Sequence, residues 1–315
     1  MKTKFFALIG ILFSICSMVK AEGDIPQRPP IIGVAHIGFY TKDLDHTRSY
    51  LRDFMGYDET VTLEKDGKVS LSVFKVNERQ FIEIFPERTA NSSRIYHFAV
   101  ETTDAEAMRV YLKSKGYKVP DHTPVGRTGN YNYFVTDPNG TICEIVQYGK
   151  EGKMADRCGL DLSKNRISTH MSHVGFMVPE NEGVNGKLRE LITRIRFYQS
   201  EIEALEKESL ESFRNKIFEL MLYDEKPSWE RMGSMNHICL EVQDIYKTKA
   251  ILDSRQQPEG VKVPTPPKAG INKKLQINYY MIDGTRIELM EEQPYDGILA
   301  PSSKGKLMKY IAKEN

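Results

Sequence analysis

Val34-Ala35-His36-Ile37-Gly38 sets a histidine inside a short apolar strand, and Phe81-Ile82-Glu83-Ile84-Phe85 sets a glutamate inside another, 47 residues later. The pairing recurs three times. Ile95-Tyr96-His97-Phe98-Ala99 precedes Ile142-Cys143-Glu144-Ile145-Val146, again by 47 residues. Met171-Ser172-His173-Val174-Gly175 precedes Phe218-Glu219-Leu220-Met221 by 46 residues, and Met235-Asn236-His237-Ile238-Cys239 precedes Arg286-Ile287-Glu288-Leu289-Met290 by 51. Ionisable groups buried in such strands need partners, because burying them alone is costly. A divalent cation that accepts imidazole nitrogen and carboxylate oxygen together satisfies both kinds of group.

The segments between each His and Glu strand have a common plan. Asp43 or Asp45 can cap a helix carrying Tyr50, Leu51, Phe54 and Met55 and stopping at Gly56; Thr103 or Asp104 can cap Ala105 to Lys115, with Gly116 as the stop. Leu188 to Ile202 has the apolar spacing of a longer helix, and Ile245 to Leu252 follows the cap Asp244. Strand-like segments come next, with turn signals at Pro138-Asn139-Gly140 and Asp283-Gly284. Each unit therefore reads βαβββ, an α+β arrangement repeated four times. Gly149 to Ser168 is polar and charged and reads as a linker, and Gln256 to Lys274, rich in proline, reads as a long loop at a pocket rim.

Strand alternation groups the side chains. His36 is expected on one face with Val34 and Gly38, His97 with Ile95 and Ala99, Glu83 with Phe81 and Phe85, and Glu144 with Ile142 and Val146. Two units whose sheets curve into one trough would bring two imidazoles and two carboxylates into one concavity. His46, His122 and His170 stand outside the pattern and read as surface residues.

The first 21 residues read as a secretory leader: Lys2 and Lys4, an apolar run from Phe5 to Val19, and Val19-Lys20-Ala21 ahead of Glu22. Cleavage would remove three of the 44 basic residues against 43 acidic ones, leaving a net charge near −2. The expectation is a secreted or periplasmic protein with no membrane attachment after cleavage. Nucleic acid is excluded as a partner by the lack of a basic stripe. Cys143, Cys158 and Cys239 remain, an odd and widely spaced set that makes no disulfide framework.

Val34-Ala35-His36-Ile37-Gly38, Tyr133-Phe134-Val135-Thr136-Asp137-Pro138-Asn139-Gly140-Thr141-Ile142-Cys143-Glu144, Met235-Asn236-His237-Ile238-Cys239-Leu240-Glu241-Val242 and Asp283-Gly284-Thr285-Arg286-Ile287-Glu288 resemble the vicinal oxygen chelate superfamily. That superfamily includes glyoxalase I, bleomycin-resistance proteins and type I extradiol dioxygenases. The resemblance implies an α+β fold of four βαβββ modules forming two cup-shaped glyoxalase/dioxygenase-like domains, over residues 32–150 and 171–292. A leader over 1–21, a linker over 151–170 and a tail over 293–315 complete the chain. It also implies metal ligands at His36, Glu83, His97 and Glu144 in the first half, and at His173, Glu219, His237 and Glu288 in the second. The ion would be Zn, Ni, Mn, Co or Fe(II); neighbouring modules are expected to pair within each half, and exchange between halves or chains, which the superfamily also shows, would give a homodimer.

The reaction implied first is a glyoxalase-like isomerase or lyase step on a small hydroxycarbonyl such as a sugar-derived one. One of the carboxylates Glu83, Glu144, Glu219 or Glu288 would leave the metal and shuttle a proton. Export argues against a glutathione-dependent substrate. An Fe(II) extradiol-type dioxygenase using His173, His237 and Glu288, with Tyr279 or Tyr280 near the substrate, is the alternative. A third is a small-molecule binding protein without chemistry. The proline-rich loop singles out the second half as the first candidate for activity.

Overall fold

The computed structural model describes residues 26–89, 94–136, 141–179, 218–223, 227–270 and 273–295. The leader, the helix expected over 188–202, the Pro138-Asn139-Gly140 turn and the tail beyond 295 lie outside them.

The first module runs β1 (Ile31–Thr41), α1 (Leu44–Ser49), β2 (Glu59–Lys65), β3 (Lys68–Lys75) and β4 (Phe81–Pro86). Asp43 starts α1 by accepting the His46 amide at 2.9 Å, and a π-turn over Tyr50–Phe54 continues it. Gly56 ends this segment at φ +82°, a left-handed conformation that suits glycine. The second module has β5 (Ile95–Thr102), α2 (Ala105–Ser114), β6 (Tyr131–Thr136) and β7 (Ile142–Gln147). Asp104 caps α2 through the Ala107 amide at 2.8 Å. Its second strand is reduced to a single bridge, Val125 to Tyr131.

In the second half, β8 (His170–Pro179) pairs with β9 (Phe218–Tyr223), and α3 (Trp229–Met235), capped by Ser228, leads into the last module. That module runs β10 (His237–Val242), α4 (Ile245–Asp253), β11 (Lys268–Ala269), β12 (Lys274–Tyr280) and β13 (Arg286–Pro294). The loop over 256–274 thus carries the short edge strand β11. Among the described residues, no helix is long and apolar enough to cross a membrane.

The strands form two mixed sheets, ordered β2-β3-β4-β1-β5-β7-β6 and β11-β12-β13-β10-β8-β9. In each, a pair of antiparallel His strands sits centrally, β1 on β5 and β10 on β8, with a Glu strand running parallel on its outer side. This arrangement pairs adjacent modules within each half. It also sets all four ligand-bearing strands of the first half side by side.

One apolar core joins the backs of both sheets and their helices, with Ile37, Phe39, Phe98 and Val100 from the first and Val174, Phe176, Ile238 and Leu240 from the second. Phe98 meets Phe176 at 5.1 Å between ring centroids, and Phe54 meets Tyr279 at 5.9 Å. Gln80 ties the sheets polar-to-polar: its amide nitrogen donates to the Val34 and Met171 carbonyls, and its oxygen accepts the Met171 amide. Buried backbone groups at this seam are thereby satisfied.

The fronts of the sheets are separate from that core. Val61, Leu71, Val73, Phe81, Phe85 and Met154 line the front of the first sheet. Met154 comes from the segment between the halves, which folds back across the first cup. Lys75, fully buried, holds that segment by donating to the Arg157 carbonyl at 2.6 Å and the Leu160 carbonyl at 3.0 Å.

Candidate metal centres

A β-bulge precedes the ligand in three of the four His strands. The register between β1 and β5 slips at Ala35, before His36, and at Tyr96, before His97; between β8 and β10 it slips at Ser172, before His173. Each slip adds one residue, bends the strand and re-aims the following side chain. It also corrects the simple alternation expected from sequence. Gly38 and Ala99 share the ligand face, but Val34 and Ile95 are turned back into the core behind the sheet. Phe81 and Phe85 do flank Glu83 on the front, as alternation requires.

In the first cup the four expected groups converge. His36 Nε2 lies 3.0 Å from His97 Nε2. Glu144 Oε2 lies 3.3 Å from His36 Nε2 and 3.1 Å from His97 Nε2. Glu83 Oε2 stands slightly farther off, at 3.8 Å from His36 Nε2 and 3.7 Å from His97 Nε2. All four side chains are buried. Neighbouring ligand atoms around a tetrahedral ion with bonds of about 2.0–2.1 Å would be roughly 3.3 Å apart, so this donor set fits a divalent cation. Two imidazoles and two carboxylates also match its charge.

Electrostatics point the same way. Burial alone would lower the His36 pKa, but Glu83 and Glu144 outweigh it and raise it to about 9. Burial likewise opposes ionisation of Glu144, yet His36 and His97 hold its carboxyl well below the usual range. The cup is thus a place where positive charge is strongly favoured, and in the ion's absence a proton takes that role.

The two carboxylates are held differently. Asn132, from β6, donates to Glu144 Oε1 at 2.7 Å, leaving Oε2 directed at the imidazoles. Asn132 was not singled out in the sequence; its place two residues before Phe134, which faces Glu144 across β6 and β7, is what aims it there. Gly38 was quoted but given no role. It lies opposite His97, and a Cβ there would come within 2.4 Å of the imidazole.

The second cup repeats the frame. His173 Nε2 is 3.3 Å from His237 Nε2, and Glu288 Oε2 is 3.2 Å from His237 Nε2. Gly175 lies opposite His237 as Gly38 lies opposite His97. The Met235 carbonyl is 2.8 Å from His237 Nδ1. Glu219 has its backbone opposite Gly175 in β9, but its side chain lies outside the described residues. Arg286 adds a cation not weighed from sequence: Nη2 is 3.3 Å from Glu288 Oε2 and also contacts His237 Nδ1. Tyr280 pairs with Arg286, placing it on that face, whereas Tyr279 is buried in the core behind.

Each half therefore carries a His/His/Glu group able to hold a divalent metal: His36, His97 and Glu144, and His173, His237 and Glu288. Cys143 and Cys239 are buried and form no disulfide.

Residues 35–134 match the model of the Glyoxalase/Bleomycin resistance protein/Dioxygenase superfamily. The 2,3-dioxygenase LapB from Pseudomonas sp. KL28 is similar in structure, with a TM-score of 0.54 at 14% identity over 84% of this chain and 93% of that one. The two share a fold. The Mn(II)-bound glyoxalase from Novosphingobium aromaticivorans gives 0.55 at 13% identity, covering 84% of this chain and 83% of its own. Homoprotocatechuate 2,3-dioxygenase from Arthrobacter globiformis gives 0.57 at 15%, covering 85% and 81%. A comparison with curated proteins finds no match. The shared fold accounts for the paired modules and front-facing donors; at these identities the likeness speaks for the fold and not for a reaction.

Proposed function

We propose that the protein is an exported, metal-dependent vicinal oxygen chelate enzyme that isomerises a small hydroxycarbonyl compound in its first cup. The observation that carries this reading is the unequal hold on two carboxylates at one centre. Glu144 is fixed by Asn132 and sits 3.1 and 3.3 Å from the imidazoles, while Glu83 stands back at 3.7 and 3.8 Å. His36, His97 and Glu144 would hold the ion, and Glu83 would move the proton.

A bound divalent ion would supply Lewis-acid polarisation of the substrate's two adjacent oxygens. Glu83 takes the proton from the carbon bearing the hydroxyl and returns it to the neighbouring carbonyl carbon, while the hydroxyl proton passes to the former carbonyl oxygen. Hydroxyl and carbonyl thereby exchange places, with no external oxidant or reductant. Phe81, Phe85, Val73 and Met154 form an apolar cluster on the front of the first sheet, beside Glu83. The leader supports export, where glutathione is not at hand, so the substrate is a free hydroxycarbonyl. The test is metal-dependent exchange of substrate C–H for deuterium across a panel of hydroxycarbonyls. Exchange that disappears with chelator and in Glu83→Gln supports the reading. Tight ligand binding unchanged by chelator, with no exchange, would instead favour a binding protein.

A second reading applies to the other cup. His173, His237 and Glu288 form a three-donor set, and Tyr280 shares its face, an arrangement that suits an Fe(II) extradiol-type dioxygenase. Oxygen uptake with a catechol and ferrous iron, lost in His237→Ala but not in His36→Ala, would establish that activity.

A further inference from the structure

We infer that the first cup takes a planar aromatic hydroxycarbonyl, with Phe134 as the residue that selects it; this rests on the metal-dependent reading of the same centre. The donor cluster is walled by rings. Tyr96, turned to the front by its bulge, stacks on Tyr40 at 4.8 Å between centroids and meets Phe85 edge-on at 5.4 Å. Phe85 and Phe134 both stand edge-on to the His97 imidazole, at 6.0 and 5.6 Å, and Phe134 tilts against Tyr96 at 6.1 Å.

Phe134 differs from the rest of this wall. It contacts a ligand imidazole that is only 2% exposed, yet it is itself 42% exposed. The ring meets the His97 imidazole and Tyr96 while much of its surface stays exposed.

The second cup shows that the fold does not require an aromatic ring there. Phe134 faces Glu144 across β6 and β7; the residue facing Glu288 across β12 and β13 is Asn278. Two residues before the glutamates, Ile142 in the first cup answers to Arg286 in the second. At these two positions the first cup carries apolar side chains and the second an amide and a guanidinium.

An aryl group beside the chelated oxygens can lie against Phe134 and Tyr96. A sugar-like chain would instead bring its hydroxyls against the Phe134 and Phe85 rings, which return no hydrogen bonds.

Calorimetric titration of the metal-reconstituted full chain tests this, with 2-hydroxyacetophenone and dihydroxyacetone as probes. The expected result is tighter binding of the aryl ketone, weakened roughly five- to tenfold in Phe134→Asn, the second cup's own residue, and restored in Phe134→Tyr. Dihydroxyacetone affinity and metal content stay unchanged. Equal affinity for the two probes, equal losses for both in Phe134→Asn, or loss of metal from that variant would overturn the inference. Because the readout is binding, absent deuterium exchange alongside retained aryl selectivity would refute the proton-transfer reading and leave this one standing.

Discussion

Gly38 lies directly across from His97 in the central strand pair, so close that an added Cβ would sit 2.4 Å from the imidazole Cε1. Gly175 repeats the relationship with His237, where the distance would be 2.0 Å. The second ligand of each cup lies over a strand that has no side chain at that point. This is why a glycine follows His36 and His173 by two residues. Gly38→Ala is expected to displace His97 and weaken first-cup metal binding strongly, at a stability cost of about 1–3 kcal/mol from overpacking. Metal titration and urea denaturation of the variant check both halves of the statement.

Glu83 and Glu144 should respond differently to the same substitution. Glu144→Gln removes a ligand and is expected to cost at least tenfold in metal affinity, and Asn132→Leu roughly 10–100-fold through loss of its support. Glu83→Gln should retain the ion with a smaller loss and reduce proton exchange by about 10²–10⁴-fold. Parallel metal titration and isotope exchange separate the two roles.

His36 gives the centre a pH dependence. Its folded-state pKa is raised to about 9 by the two carboxylates, against 6.5 ordinarily. A raised pKa means that the metal-free fold gains stability below pH 6.5 and loses that contribution as pH rises through 9. Metal must displace the same proton, so affinity should climb over this interval, with a proton released per ion near pH 7. Calorimetry in buffers of different ionisation enthalpy measures that release. His36→Gln should abolish it.

Lys75 holds the segment between the halves against the first cup through the Arg157 and Leu160 carbonyls. Lys75→Met leaves those acceptors without their donor and should destabilise the fold by roughly 2 kcal/mol. Met154, carried on the same segment, would lose its seat among Phe81 and Phe85, and hydrogen exchange around residues 152–161 should quicken.

The donor residues stood out in the sequence because the same residue type recurred at nearly constant spacing, which random apolar strands do not produce. Helix starts at Asp43, Asp104 and Asp244 were legible from capping chemistry alone. The bulges at Ala35 and Tyr96 were not, because apolar residues serve both faces of these strands and a slipped register leaves no compositional trace. The return of Met154 across the cup was hidden in a polar stretch read as linker, and only tertiary contact with Lys75 reveals it. Arg286 stands in the strand of Glu288, but its place beside His237 needed the register of β10 on β13. That guanidinium is also why the first cup, rather than the second, is the better seat for the proposed proton transfer.

Elemental analysis of the purified protein, alongside His36→Ala, Glu144→Gln and His237→Ala, tests the central claim most directly. The account predicts a divalent metal at one or more equivalents per chain, with the first-cup share lost in His36→Ala and Glu144→Gln and kept in His237→Ala. A chain that takes up no stoichiometric divalent metal, or that keeps its full complement in both first-cup variants, would contradict it.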